Sequence, residues 1–107
     1  MKLQLHPEAE DEIFHEAAYY EAARVGLGDD FLEHVQRWFD VVLENPHVWP
    51  QYVELPGLDS PIRRVVLDRF PHSIVYQAFP ERVQVLAVAP AKRRPFYWLN
   101  RATRSSR

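Results

Sequence analysis

Polar and apolar residues alternate from Lys2 to Leu5, the period of a half-buried strand, and then the period changes. Pro7 suits the first position of a helix, where its missing N–H costs nothing, and Glu8, Glu10, Asp11 and Glu12 follow at the positive end of the helix dipole. Ile13, Ala17 and Tyr20 recur at helical spacing, with Ala9 and Arg24 extending the row, until Gly26-Leu27-Gly28 supplies a stop. The small alanines on this row predict close contact with a neighbouring element. Asp30, with Glu33 three residues on, has capping-box form and predicts the start of a second helix. Its apolar stripe is Phe31, Val35, Trp38 and Val42, flanked by Leu32, Phe39 and Leu43, and Asn45-Pro46 ends it. Two helices joined by so short a link predict an antiparallel hairpin.

Residues 45–61 hold four prolines and Gly57, which predicts a long loop without regular structure, pinned to the core by Trp49, Tyr52 and Leu55. Three β-type runs follow: Ile62 to Leu67, Ser73 to Phe79 and Arg82 to Ala89, separated by turns at 68–71 and 80–81. In the last run strict alternation would put Val83, Val85, Ala87 and Ala89 on one face and Leu86 and Val88 on the other. The predicted class is therefore α+β in the order β-α-α-β-β-β, with the helical hairpin packed on a small, mainly antiparallel twisted sheet. Because the meander is apolar on both faces, the face away from the helices is expected to be partly hidden by a partner.

A chain of 107 residues with 47% hydrophobic and 26% charged content fits one globular domain spanning 1–107, ending in a short basic tail at about 102–107. Cysteine is absent, which removes disulfides and thiolate chemistry and fits a reducing compartment. Acidic residues arrive before any long apolar stretch, so neither a signal peptide nor a membrane span is expected, and the location read from the sequence is cytoplasmic. The five histidines, His6, His15, His34, His47 and His72, have no metal-ligand spacing on one helix, so no metal is expected. Neither a glycine-rich phosphate loop nor a nucleophile elbow is present, so no cofactor is expected.

Charge is strongly polarised. Residues 1–60 carry three basic against thirteen acidic side chains, whereas residues 61–107 carry ten against two, so the net −2 conceals local totals of −10 and +8. The basic part closes on Lys92-Arg93-Arg94-Pro95-Phe96-Tyr97-Trp98, and Arg63, Arg64 and Arg69 lie in the same sheet region. Cations interleaved with aromatics at a sheet end suit a polyanion or an acidic protein partner.

These residues also carry a resemblance. The succession His6-Pro7-Glu8-Ala9-Glu10, Tyr19-Tyr20-Glu21, Gly28-Asp29-Asp30-Phe31, Glu44-Asn45-Pro46, Ile62-Arg63-Arg64, Arg69-Phe70-Pro71, Ile74-Val75-Tyr76 and Arg94-Pro95-Phe96-Tyr97-Trp98 resembles the RelE/ParE family of type II toxin-antitoxin toxins along nearly the whole chain. The resemblance implies a growth-inhibiting cytoplasmic toxin of plasmid-stabilisation type. It further implies neutralisation by direct binding of a cognate antitoxin in a toxin–antitoxin hetero-oligomer.

Two targets occur within the family. RelE-like members are ribosome-dependent, metal-independent mRNA endoribonucleases, and that branch would make Arg63, Arg64, Arg93, Arg94 and Tyr97 the catalytic set. The chain departs from the branch at Ser73, where the nuclease pattern has arginine, and at Pro90, where many similar sequences have histidine. ParE-like members bind DNA gyrase and require no catalytic set. The Arg69-Phe70-Pro71 turn, the Tyr97-Trp98 ending and the net negative charge favour this second branch, with Arg69, Lys92, Trp98 and Arg101 as contacts to target or antitoxin. A third reading is a detoxified relative that only binds its antitoxin.

Overall fold

A computed structural model describes residues 1–105; the last two residues of the expected basic tail lie outside the described residues. Along the chain run β1 (Lys2–Leu5), α1 (Pro7–Ala23), α2 (Leu27–Glu44), β2 (Gln51–Val53), β3 (Ile62–Val66), β4 (His72–Ala78), β5 (Arg82–Pro90) and a 3-10 turn (Leu99–Arg101). The strands form one sheet in the order β1-β5-β4-β3-β2. β1 lies parallel to β5, from Lys2 opposite Arg82 to Leu5 opposite Val85, and the other pairs are antiparallel. The expected α+β order is present with one additional strand. Among the described residues no helix is long and apolar enough to cross a membrane.

That additional strand corrects the expectation of an irregular loop over 45–61. β2 pairs with β3 through Gln51 opposite Arg63 and Val53 opposite Ile62, with a register irregularity between them. An edge strand needs hydrogen bonds on one side only, so the neighbouring prolines do not forbid it. Pro50 even contributes, its carbonyl accepting the Arg64 N–H at 3.2 Å. Trp49 and Tyr52 pack on apolar clusters as expected, but Leu55 is exposed and pins nothing.

The helix starts follow from local chemistry. His6 caps α1, its Nδ1 accepting the Glu8 N–H at 3.1 Å, and Pro7 opens the helix. α2 begins at Leu27 and not at the Asp30 capping box, so Gly28 lies inside the helix and is no stop signal. The cap comes from the preceding helix: the Glu21 carboxylate accepts the Gly26 N–H at 3.0 Å and the Gly28 N–H at 3.0 Å. Gly26 takes φ 90° to turn the chain. At Gly28 the requirement is space, because a Cβ there would sit 2.6 Å from the Ala17 carbonyl oxygen. The two helices touch where Ala17 meets Gly28.

One apolar cluster fills the space between helices and sheet: Ala9, Ile13 and Ala17 of α1, Phe31, Val35, Phe39 and Val42 of α2, and Val65, Ile74, Tyr76, Val83, Val85 and Val88 from the strands. Strict alternation along β5 fails. Val75 faces Ala87 while Tyr76 faces Val85, so Leu86 is an extra residue, a β-bulge. It turns the pleat over: Val88 joins Val83 and Val85 on the helix side, and Leu86 and Ala87 face away.

Much of the second sheet face, part of which was expected to be hidden by a partner, is covered by the chain itself. Ile62, Val75, Leu86 and Ala87 pack with Trp98, and Tyr52, Leu58, Leu99 and Ala102 close the edges. Beyond the 3-10 turn the tail is tied down: Thr103 N–H donates to Gln77 Oε1 at 2.8 Å, and the Ser105 N–H donates to the Gly57 carbonyl at 2.9 Å.

Candidate functional site

Alternation along β3 sends Arg63 and Arg64 to opposite faces. Arg64 joins Arg93 and Arg94 around an open cleft of about 210 Å³ on the face away from the helices, with Ser73, Tyr52, Phe96 and Tyr97 in its walls. The Arg64 guanidinium stands 4.0 Å from the centre of the Tyr52 ring and that of Arg93 3.7 Å from the Tyr97 ring, both within cation–π range. Phe96 takes φ 63°, a left-handed conformation unusual for an aromatic residue, and its half-exposed ring packs 5.5 Å from that of Tyr52. Arg63 is not part of this cleft. It donates to the Trp49 carbonyl at 2.7 Å and braces the loop before β2.

The cleft is fastened from behind by Glu12, a residue whose acidic run was expected only to complement the helix dipole. Its carboxylate is 11% exposed. It accepts the Tyr97 hydroxyl at 2.8 Å and the Val88 N–H at 3.2 Å, and it lies 3.0 Å from Arg101 and 3.8 Å from Arg93. Arg101 is itself 7% exposed, donates to the Leu86 carbonyl at 3.0 Å and reaches Glu8 at 3.4 Å. Val88 lies past the end of β1, and Leu86 is the bulged residue, so Glu12 and Arg101 satisfy backbone groups near the ladder's interruption. Trp98 is 2% exposed. Trp98 and Arg101, expected to meet a partner, are interior residues in this chain.

Tyr97 is held as a phenol. Burial pushes its ionisation above the ordinary tyrosine range, and the Glu12 carboxylate pushes it further by accepting a hydrogen bond from the hydroxyl and repelling a phenolate; the nearby arginines oppose this only in part. Tyr76, whose hydroxyl donates to the Pro46 carbonyl at 2.7 Å, is pushed up to about 12 by burial. A phenol raised in the folded state favours folding while protonated in both states, so the contribution is complete below about pH 10 and is lost as pH rises through the folded value. Stability in urea should therefore fall progressively above pH 10. Tyr76→Phe should flatten part of that fall, and an unchanged slope would contradict the assignment.

The remaining cations divide similarly. Arg69 pairs with Asp30 at 3.3 Å and lies over the Phe70 ring, while Lys92 stands 5.6 Å from the Tyr19 ring. These two border a separate hollow of about 460 Å³ against α1. Much of the +8 is thus answered inside the molecule, by Glu8, Glu12 and Asp30. No three His, Asp or Glu side chains among the described residues converge as a metal site would require. Sequence reasoning passed over Glu12, although Glu8, Glu12 and Glu16, spaced by four, share one face of α1, and such an acidic face is a signal for a basic segment to dock on it.

No family model matches the chain, and no curated protein matches it. Among solved structures, a chain of the chromosomal ParDE TA system from P. aeruginosa superposes with a TM-score of 0.60 over 86% of this chain and 97% of that one, at 20% sequence identity. At that identity the likeness is one of fold. Two helices on a five-stranded mixed sheet, with this topology, are the RelE/ParE toxin-like fold.

Proposed function

We propose that this chain is the toxin of a type II toxin–antitoxin pair, neutralised in the cytoplasm by a cognate antitoxin, and that it acts in the ParE manner by binding DNA gyrase. Support for a toxin comes from the shared fold together with the residue resemblance along the chain. The choice of target rests on one observation, the hydrogen bond from Tyr97 to Glu12. Cleaving RNA requires a base to take the 2′-hydroxyl proton and cations to stabilise the charged phosphorane. Here Tyr97, the tyrosine that the nuclease branch would use, is engaged by a carboxylate and held protonated, and Ser73 occupies a wall where the nuclease branch carries a cation. A cleft of Arg64, Arg93, Arg94 and Phe96 remains well suited to gripping an acidic protein surface.

Inducing the chain alone should arrest growth, and the purified protein should block supercoiling by gyrase while leaving ribosome-bound mRNA whole. Ribosome-dependent cutting that disappears in the Arg93→Ala, Tyr97→Phe double variant, with supercoiling unaffected, would establish the nuclease reading instead. Normal growth on induction would leave the detoxified relative.

A further inference from the structure

The 460 Å³ hollow beside α1 meets the arginine cleft only at Pro90 and Ala91 and is not used by the function proposed above. Its apolar lining comes from Tyr19, Tyr20 and Phe70. Tyr19 is 59% exposed, with its ring edge-on to that of Tyr20 at 5.6 Å. Within the hollow lies His72, whose side chain is 2% exposed and whose two ring nitrogens both lack a hydrogen-bond partner. Glu16, 16% exposed, approaches its Nε2 only to 3.8 Å, beyond hydrogen-bonding reach. A buried imidazole with neither nitrogen satisfied calls for an explanation, and a group arriving from outside supplies one. Burial holds this histidine below its ordinary range, so the ring is neutral and offers one donor and one acceptor. At the mouth, Lys92 has no carboxylate partner among the described residues, and Arg69 shares its charge with Asp30.

We infer that this hollow is a docking pocket for an acidic peptide segment with a single tryptophan or tyrosine anchor, supplied by the antitoxin. The inference rests on the toxin reading for the identity of the partner and on the pocket alone for the chemistry. The anchor's ring lies among Tyr19, Tyr20 and Phe70 at the offset or edge geometries that aromatic pairs prefer. Its N–H or O–H reaches the acceptor nitrogen of His72, a ring with neither nitrogen partnered. Carboxylates flanking the anchor meet Lys92 and Arg69 at the rim, where charge steers approach and selects the partner. Few side chains other than Trp and Tyr combine a large apolar body with one polar end, and they dominate interface hot spots for that reason.

The probe is a capped pentapeptide with one tryptophan between pairs of glutamates, titrated into the isotopically labelled full chain and followed by NMR. Saturable shifts are expected at Tyr19, Lys92 and the His72 ring. Replacing the tryptophan by alanine should weaken binding about tenfold, the loss expected of a buried aromatic anchor. Exchanging the glutamates for lysines should weaken it as well, and so should Tyr19→Ala or Lys92→Glu, two changes on exposed side chains that leave the core intact. Shifts confined to Arg64 and Phe96, or equal binding by the lysine-flanked peptide, would overturn the proposal. Indole-3-acetate binding here while the peptide does not would overturn it in favour of a small-molecule site. A chain that arrests growth yet ignores the peptide sinks the pocket and spares the toxin reading, and a harmless chain that binds the peptide does the reverse.

Discussion

Glu12→Ala should remove about 3–5 kcal/mol of folding free energy, the range seen when one partner of a buried ion pair is deleted. Arg101 would be left with its guanidinium 7% exposed, the Leu86 carbonyl at 3.0 Å, and the solvent-facing Glu8 at 3.4 Å as its one carboxylate partner. The Tyr97 hydroxyl and the Val88 N–H would lose their acceptor in the same step. Glu8→Ala is the natural comparison, because Glu8 touches the same arginine but is 60% exposed, where ion pairs contribute roughly 0–1 kcal/mol. Urea unfolding of the two variants should separate them by several-fold. Similar small losses would mean that Arg101 is not buried as described, and with it the account of how the C-terminal segment is fastened would fall.

Gly28→Ala should destabilise by about 1–3 kcal/mol, the usual cost of forcing extra volume into a packed site. Helix propensity argues the other way, since alanine is favoured over glycine by about 1 kcal/mol inside a helix. Contact decides the sign. The added methyl would meet the Ala17 carbonyl oxygen at 2.6 Å and the Glu21 Cβ at 3.0 Å, and the first of these is backbone that cannot swing aside. Relieving the clash means separating α1 from α2 or dislodging the Glu21 carboxylate from the Gly26 and Gly28 N–H groups. For a chain of this size 1 kcal/mol corresponds to roughly 4–8 °C in Tm. A thermal melt that moved upward instead would show that the helices are not in contact at this point.

The sequence made legible those elements whose signals are local. β1, the start of α1 at Pro7, the apolar stripe of α2 and its end at Asn45 all follow from period and breakers, and they lie where expected. What escaped was set by residues far apart in the chain. β2 is three residues long and sits among prolines, and only the free edge of β3 makes it a strand. Gly28 looked like a helix stop because a glycine chosen for close approach and one chosen for its conformation are the same letter. Leu86 carries no local mark of a bulge, since apolar residues on either side suit both faces. Of the arginines in and just after the basic-aromatic string, Arg94 stays outside and Arg101 goes inside, a division made by a glutamate near the other end of the chain. For the same reason the arginine cleft was only partly legible: Arg64, Arg93 and Arg94 meet there, while Arg63 does not.

The pairing of β1 with β5 has a consequence for synthesis. Lys2 waits for Arg82, and Glu12 for Tyr97, so β1 finds its neighbour only across some eighty residues of chain. Contacts that span such distances close slowly, because the chain must surrender its freedom before they reward it. A nascent or prematurely terminated product ending before residue 82 has no parallel pair, and one ending before residue 93 has no arginine cleft. Both the parallel edge of the sheet and the arginine cleft therefore wait on the last quarter of these residues.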